Sequence, residues 1–259
     1  MFRIVHISDL HYQKNSDRIS CFYKDFLPLL MSPFEIIDSL LANCQKNIDL
    51  IIVSGDLCEN GSVEDYKYVK QQLEARFSCP IVYCYGNHDN KNNMKLALYG
   101  DSGVLDNSTW QNDKIQVLSI DSSNQRYPDG FILDQAIDYA IEKLKNGKDT
   151  LIVTHHHLLK NQFTMQRAEN SDMLLSQIRS FDNLKGIFTG HTHHYYHTMI
   201  DTIPYYTVGS CSFMIQQENN ELKFYQKPEI NYYEIDDEIN CQTISKDSLD
   251  KYIGIVREK

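Results

Sequence analysis

Six short apolar runs, five of them followed at once by a motif of Asp, Asn or His, constrain this chain more than any other feature. Phe2–Ser8, Asp49–Ser54, Pro80–Tyr85, Lys114–Ile120, Asp149–Thr154 and Leu184–Thr189 carry apolar residues on both faces. Such runs suit strands of a sheet that is covered on both sides. Helix patterns separate them. Ser32-Pro33-Phe34-Glu35 reads as a helix start, with Ser as N-cap, Pro at the first helical position and Glu closing a capping box. Phe34, Ile37, Leu41 and Cys44 then recur on one face. Ser62-Val63-Glu64-Asp65 opens a second helix, ending near Phe77. A third runs from about Asp134 to Asn146, with Gly147 as its C-cap, and a fourth covers about Ser171–Ser180. This alternation predicts an α/β fold.

After about Tyr195 the helices stop. Tyr195–Ile200, Pro204–Val208, Glu221–Gln226, Asn231–Ile235 and Ile239–Thr243 read as short strands joined by tight turns. They predict a second, largely antiparallel sheet, drawn from residues 195–257 and packed on a mixed central one. With 259 residues and no linker or repeat, the expected organisation is a single domain over 1–259.

The composition narrows the function classes. A net charge of −10 lacks the basic footprint of a protein that tracks long nucleic acid or anionic lipid. It still permits a phosphate substrate, because a bound cation supplies positive charge locally. The seven cysteines are scattered and odd in number, which predicts reduced thiols filling the core of a cytoplasmic protein. Met1–Asp9 does not read as a signal peptide, since His6 interrupts a short apolar run. No apolar stretch approaches the roughly 18 residues of a membrane helix, so no membrane partner is expected.

The motifs behind the strands are Asp9-Leu10-His11, Gly55-Asp56, Gly86-Asn87-His88-Asp89, His155-His156-His157 and Gly190-His191-Thr192-His193-His194. Taken singly, each is ordinary turn chemistry. Taken together they are not, because ligand sites in α/β sheets form at the carboxyl ends of strands. Seven of the ten histidines fall in two short clusters at 155–157 and 191–197. Gly-His-Thr-His would place two imidazoles on one side of an extended segment, a geometry suited to chelation or bridging. Carboxylate, amide and imidazole without thiolate suits Mn, Fe or Zn. The donors suffice for two ions, with Asp56 as the natural bridge. Two such ions, roughly 3.5–4 Å apart, clamp a phosphoryl group for in-line attack.

These five blocks, spanning residues 9 to 193, resemble the signature of the calcineurin-like metallophosphoesterase superfamily. The opening His6-Ile7-Ser8-Asp9-Leu10-His11 is most similar to its bacterial class III cyclic-nucleotide phosphodiesterase branch. The resemblance implies a four-layer α/β/β/α sandwich. It implies a first ion on Asp9, His11, Asp56 and His193. A second would sit on Asp56, Asn87, His191 and one histidine of the 155–157 run. His88 would be catalytic, donating to the phosphoryl or leaving group, and not a ligand. The family's proline after its histidine pair is replaced here by Leu158-Leu159, which leaves the register open. His155 is chosen because it directly follows Thr154 at the strand end, with His156 as the alternative.

The expected protein is therefore a phosphodiesterase that hydrolyses a small nucleotide-like diester by attack of a metal-bridging hydroxide, with manganese the activating ion in vitro. A phosphomonoesterase, a protein phosphatase or a nuclease of the same superfamily is the alternative chemistry. A silent protein-binding scaffold is the alternative of another class. His6 is expected to pack inside the first strand, and His194 and His197 to sit on the rim. The tyrosines are expected to serve the antiparallel sheet. Residues 12–31 and 121–131 are expected to shape the mouth of the site.

Overall fold

β1 (Phe2–Ile7) and β2 (Leu50–Val53) are almost wholly buried, as runs apolar on both faces require. In the computed structural model, which describes residues 1–14, 21–42, 47–100, 107–123, 129–160, 167–219 and 221–257, they begin the first of three sheets. Next along the chain come α1 (Pro33–Leu41), α2 (Val63–Arg76), β3 (Ile81–Tyr83) and α3 (Lys91–Tyr99). β4 (Asn107–Gln111), β5 (Ile115–Ile120), α4 (Asp134–Leu144), β6 (Asp149–Val153), α5 (Ser171–Ile178) and β7 (Leu184–Thr189) form the middle of the chain. The last strands are β8 (Tyr196–Ile200), β9 (Ile203–Thr207), β10 (Met214–Glu218), β11 (Glu221–Gln226), β12 (Glu229–Ile235), β13 (Ile239–Ser245) and β14 (Lys251–Arg257).

The first sheet has the order β13-β12-β1-β2-β3 and the second β4-β5-β6-β7-β9-β8. Both are mixed. β1, β2 and β3 run parallel, as do β5, β6, β7 and β9. Val5, Ile7, Ile51 and Val53 pack on α1, α2 and α3 through Phe34, Val69 and Met94. On the other face Ile4, Ile52 and Val82 meet Val117, Val153 and Phe188 of the second sheet. That sheet's outer face packs on α4 and α5 through Ile137, Leu174 and Ile178. The four layers α/β/β/α are therefore those expected.

The strands after residue 195 behave differently from the expectation. They do not make one antiparallel sheet. β8 and β9 extend the second sheet, β12 and β13 extend the first, and β10-β11-β14 form a small antiparallel third. The second large sheet is mixed because α4 and α5 cross over between its strands, which makes the central pairs parallel. Tyr206 and Tyr233 serve the intersheet core, packed against Phe188, while Tyr205 and Tyr232 face the helix layers.

Helix starts also divide. The capping box forms at Ser62 and Asp65 of α2. It does not form at Ser32, whose side chain makes no cap; Pro33 and the bond from Ile36 N to Ser32 O fix that start instead. Cys44 lies outside the described residues, while Cys58, Cys84 and Cys211 are buried free thiols. No helix among the described residues is long and apolar enough to cross a membrane.

Candidate metal centre

The strand-end loops carry the chain into unusual backbone. Asp9, His11, Asp56, His191 and His193 all have positive φ, between 46° and 70°. Non-glycine residues adopt this conformation rarely, and it persists where the surroundings over-determine it. Here the loops hold one another: Asp9 N donates to Gly55 O at 3.1 Å and His11 N to Asp56 O at 3.0 Å. The Gly-His-Thr-His segment is consequently not extended, as the spacing had suggested. Its bends send His193 toward Asp9 and His11, and His191 toward His155 and His156. Gly55 is required at φ 104°, where a Cβ would lie 2.5 Å from His155 Nδ1.

Two groups of donors result. In the first, His193 Nε2 lies 3.2 Å from Asp9 Oδ1 and 3.1 Å from His11 Nε2. In the second, His155 Nε2 lies 3.2 Å from Asp56 Oδ2 and 3.1 Å from Asn87 Oδ1. The His191 ring is 5.0 Å from that of His155, and its Nε2 is buried without a hydrogen-bond partner among the described residues. Ligand atoms of Asp9, Asp56 and His155 lie within 4.8 Å of one another and link the groups.

The outer ends of the rings are fixed. His155 Nδ1 donates to Ser54 O at 2.7 Å and His193 Nδ1 to Phe213 O at 2.5 Å. A carbonyl only accepts, so each Nδ1 carries a proton and each Nε2 is the nitrogen that faces inward. His11 Nδ1 faces Glu59 Oε1 at 2.5 Å in the same sense. Imidazoles held this way are how proteins present nitrogen to a metal. Asp9 Oδ1 and His191 Nε2 are buried without a hydrogen-bond partner among the described residues, and a cation held there would satisfy both. The donor set fits metal ions on that ground.

Electrostatics agree. Burial works against ionising Asp9 and Asp56, but the surrounding imidazoles outweigh it and hold both carboxyls below their usual range. Burial and the neighbouring His155 push His191 down to about 3, which keeps it neutral, the form that donates a lone pair.

His88 stands apart. Its backbone N donates to Asp56 Oδ1 at 2.8 Å, while its side chain is 29% exposed and turns outward. Its Nδ1 lies 3.0 Å from Glu59 Oε2. Burial lowers this imidazole, yet Asp56 and Glu59 outweigh burial and raise it to about 10.

The remaining histidines have other partners. His156 stands beside His155 and His191, with ring centres 4.9 and 4.5 Å from theirs, and its Nδ1 meets Ser122 Oγ at 2.8 Å, while His157 packs between Tyr196 and Tyr205. His6 lies inside β1 and meets Ser54 Oγ at 2.8 Å. His194 reaches Ile215 O at 3.1 Å, at the start of the third sheet. His197 is stacked on Tyr206 in the edge strand β8. Three contributors were not foreseen. Asp89 accepts from the backbone N of Leu57, Cys58 and Gly86 and so ties two loops together. Glu59 joins His11 to His88. Tyr23 donates to Glu59 Oε1 at 2.7 Å. The signal for Asp89 was its place in the Asn-His-Asp block; Glu59 lies three residues beyond Asp56 in a turn that nothing local distinguishes.

Residues 2–195 match the family model described as calcineurin-like phosphoesterase. The chain belongs to that family. Among curated members of the calcineurin-like phosphoesterases, a protein named probable cyclic nucleotide phosphodiesterase from Colwellia psychrerythraea is 29% identical over 162 residues. That match covers 60% of this chain and 59% of the relative, less than two thirds of its length. A glycerophosphodiester phosphodiesterase from Enterobacter lignolyticus is 25% identical over 276 residues, covering 93% of this chain and 97% of the relative. Among solved structures, a dimetal phosphatase from Danio rerio aligns with a TM-score of 0.59 at 13% identity, covering 94% of this chain and 98% of that one. At such identity the likeness shows the fold alone.

Proposed function

We propose that the chain, acting as one unit over 1–259, is a two-metal phosphodiesterase for a small nucleotide-like diester. One observation carries the reading: five loops from two sheets bring seven donors together, with the outer nitrogens of His11, His155 and His193 fixed and the inner atoms facing one another. The ligand set we infer is Asp9, His11, Asp56 and His193 for one ion, and Asp56, Asn87, His155 and His191 for the other. Manganese, iron or zinc suits these donors. Bound there, the ions would lower the pKa of a shared water and neutralise phosphoryl charge. The chain's own residues do the rest. Asp56 holds both sides together and anchors the His88 backbone. His88, charged beside Glu59, offers a proton toward the leaving oxygen.

The names of the two curated relatives support a diester over a monoester, and the −10 charge supports a small substrate over long nucleic acid. The buried free thiols support a reducing compartment, which we read as the cytoplasm. The test is a panel on Mn²⁺-reconstituted protein: bis(nitrophenyl) phosphate against nitrophenyl phosphate, with 2′,3′- and 3′,5′-cyclic nucleotides and single-stranded DNA. A higher kcat/KM on the diester is expected. A tenfold preference for the monoester would move the reading to a phosphatase, and rapid cutting of DNA to a nuclease.

A further inference from the structure

The segment after the first motif block carries no readable motif, yet it delivers a side chain into the site. Cys21–Leu30 is clamped to the third sheet: Leu27 packs with Tyr23, Phe213 and Phe224 in one apolar cluster. Tyr23 is 4% exposed, and its ring centre lies 5.0 Å from that of Phe213 and 5.9 Å from that of Phe224. That packing fixes where the hydroxyl goes. It lies 2.7 Å from Glu59 Oε1, and 3.2 and 3.4 Å from the two ring nitrogens of His88. Glu59 is thus approached by three groups, with Tyr23 and His11 on Oε1 and His88 on Oε2.

We propose that Tyr23 is a positioning residue for His88, holding the Glu59 carboxylate and the imidazole in one orientation and connecting the third sheet to the reacting end of the site. The inference rests on the role given to His88 above. A phenol has one proton, and a carboxylate accepts only, so Tyr23 donates to Glu59. Its oxygen then covers one side of the His88 ring. Loss of the hydroxyl leaves Glu59 Oε1 with His11 alone and frees the imidazole to rotate toward solvent. Removing an interaction that orients a group in the site typically costs 10–100-fold in activity.

Tyr23→Phe keeps the ring and its apolar packing, so the variant isolates the hydroxyl. Two measurements test it. In metal-free ¹⁵N-labelled protein, imidazole nitrogen–proton spectra are compared, with His88 assigned by its loss in His88→Ala. Tyr23→Phe is expected to shift the His88 signal and leave those of His6 and His157 in place. An unmoved His88 signal overturns the proposal. In the Mn²⁺-loaded enzyme, kcat on a diester with an alkyl leaving group is expected to fall about 10–100-fold, with KM and metal content unchanged and a smaller loss on a nitrophenyl diester. An equal loss on both esters, or a loss confined to KM, overturns it. The spectra need no turnover. If the wild type hydrolyses no phosphoester, the functional reading fails while the Tyr23–His88 relationship is still decided by the spectra.

Discussion

His155 reaches from the end of β6 to within 3.2 Å of Asp56 Oδ2, at the end of β2 in the other large sheet. The neighbouring His156 stands beside it, ring centres 4.9 Å apart, but its Nδ1 is engaged by Ser122 Oγ at 2.8 Å. Of the two, only His155 shares a donor cluster with Asp56. His155→Ala is expected to remove the second ion and lower kcat/KM by at least about 100-fold. His156→Ala is expected to keep both ions. Metal analysis of the two purified variants decides, and the reverse pattern would shift the register by one.

Gly86 lies so close to Asp56 that a Cβ there would overlap Oδ1 and the backbone N of that residue. The collision is with backbone as well as with a carboxylate tip, so it cannot be relieved by rotating a side chain. Gly86→Ala is expected to weaken metal binding about 10–100-fold and to lower Tm. Calorimetric titration with Mn²⁺ measures the first effect. Wild-type affinity in the variant would mean that the loop after β3 does not set the position of Asp56.

Much of this site was legible because strand ends and donor residues coincide in the sequence. Asp9, His11, Asp56, Asn87, His155, His191 and His193 all follow buried apolar runs. Their directions were not legible, because five of them adopt left-handed backbone that an extended segment does not suggest. The α/β character could be read from alternating strands and helices, and the four layers came from the family resemblance. The third sheet could not, because the edge strands β10 and β14 mix polar and apolar residues without a clean period. α3 was not anticipated: its N-cap Asn90, which accepts from Asn93 N at 3.1 Å, stands among asparagines that also favour turns.

His88→Ala is expected to lower kcat by about 10²–10⁴-fold on an ester with a poor leaving group. Both metals should remain. Most of the loss should vanish for a nitrophenyl ester, whose leaving group needs little protonation. Steady-state kinetics on the two esters, with metal content measured alongside, checks this. Loss of an ion would make His88 a ligand instead.

His6 offers a test of pH-dependent stability away from the ligands. Burial, partly opposed by Asp9, lowers it from 6.5 to about 3. Between those values the unfolded chain binds a proton that the native chain does not. Stability should therefore fall as the pH is lowered across that window, by about 1.4 kcal/mol per pH unit from this group. Above pH 6.5 it contributes no slope. His6→Gln, followed by urea unfolding of metal-free protein at several pH values, should show a shallower decline than the wild type. Parallel declines would mean that His6 is protonated in the native state.

The most direct test of the two-metal reading is the stoichiometry of bound metal. Elemental analysis after Mn²⁺ saturation and removal of free ion is expected to give two ions per chain. Asp56→Ala, which takes an oxygen from each site, should fall below that and lose hydrolysis with it. At most one ion per saturated wild-type chain would contradict the dinuclear centre.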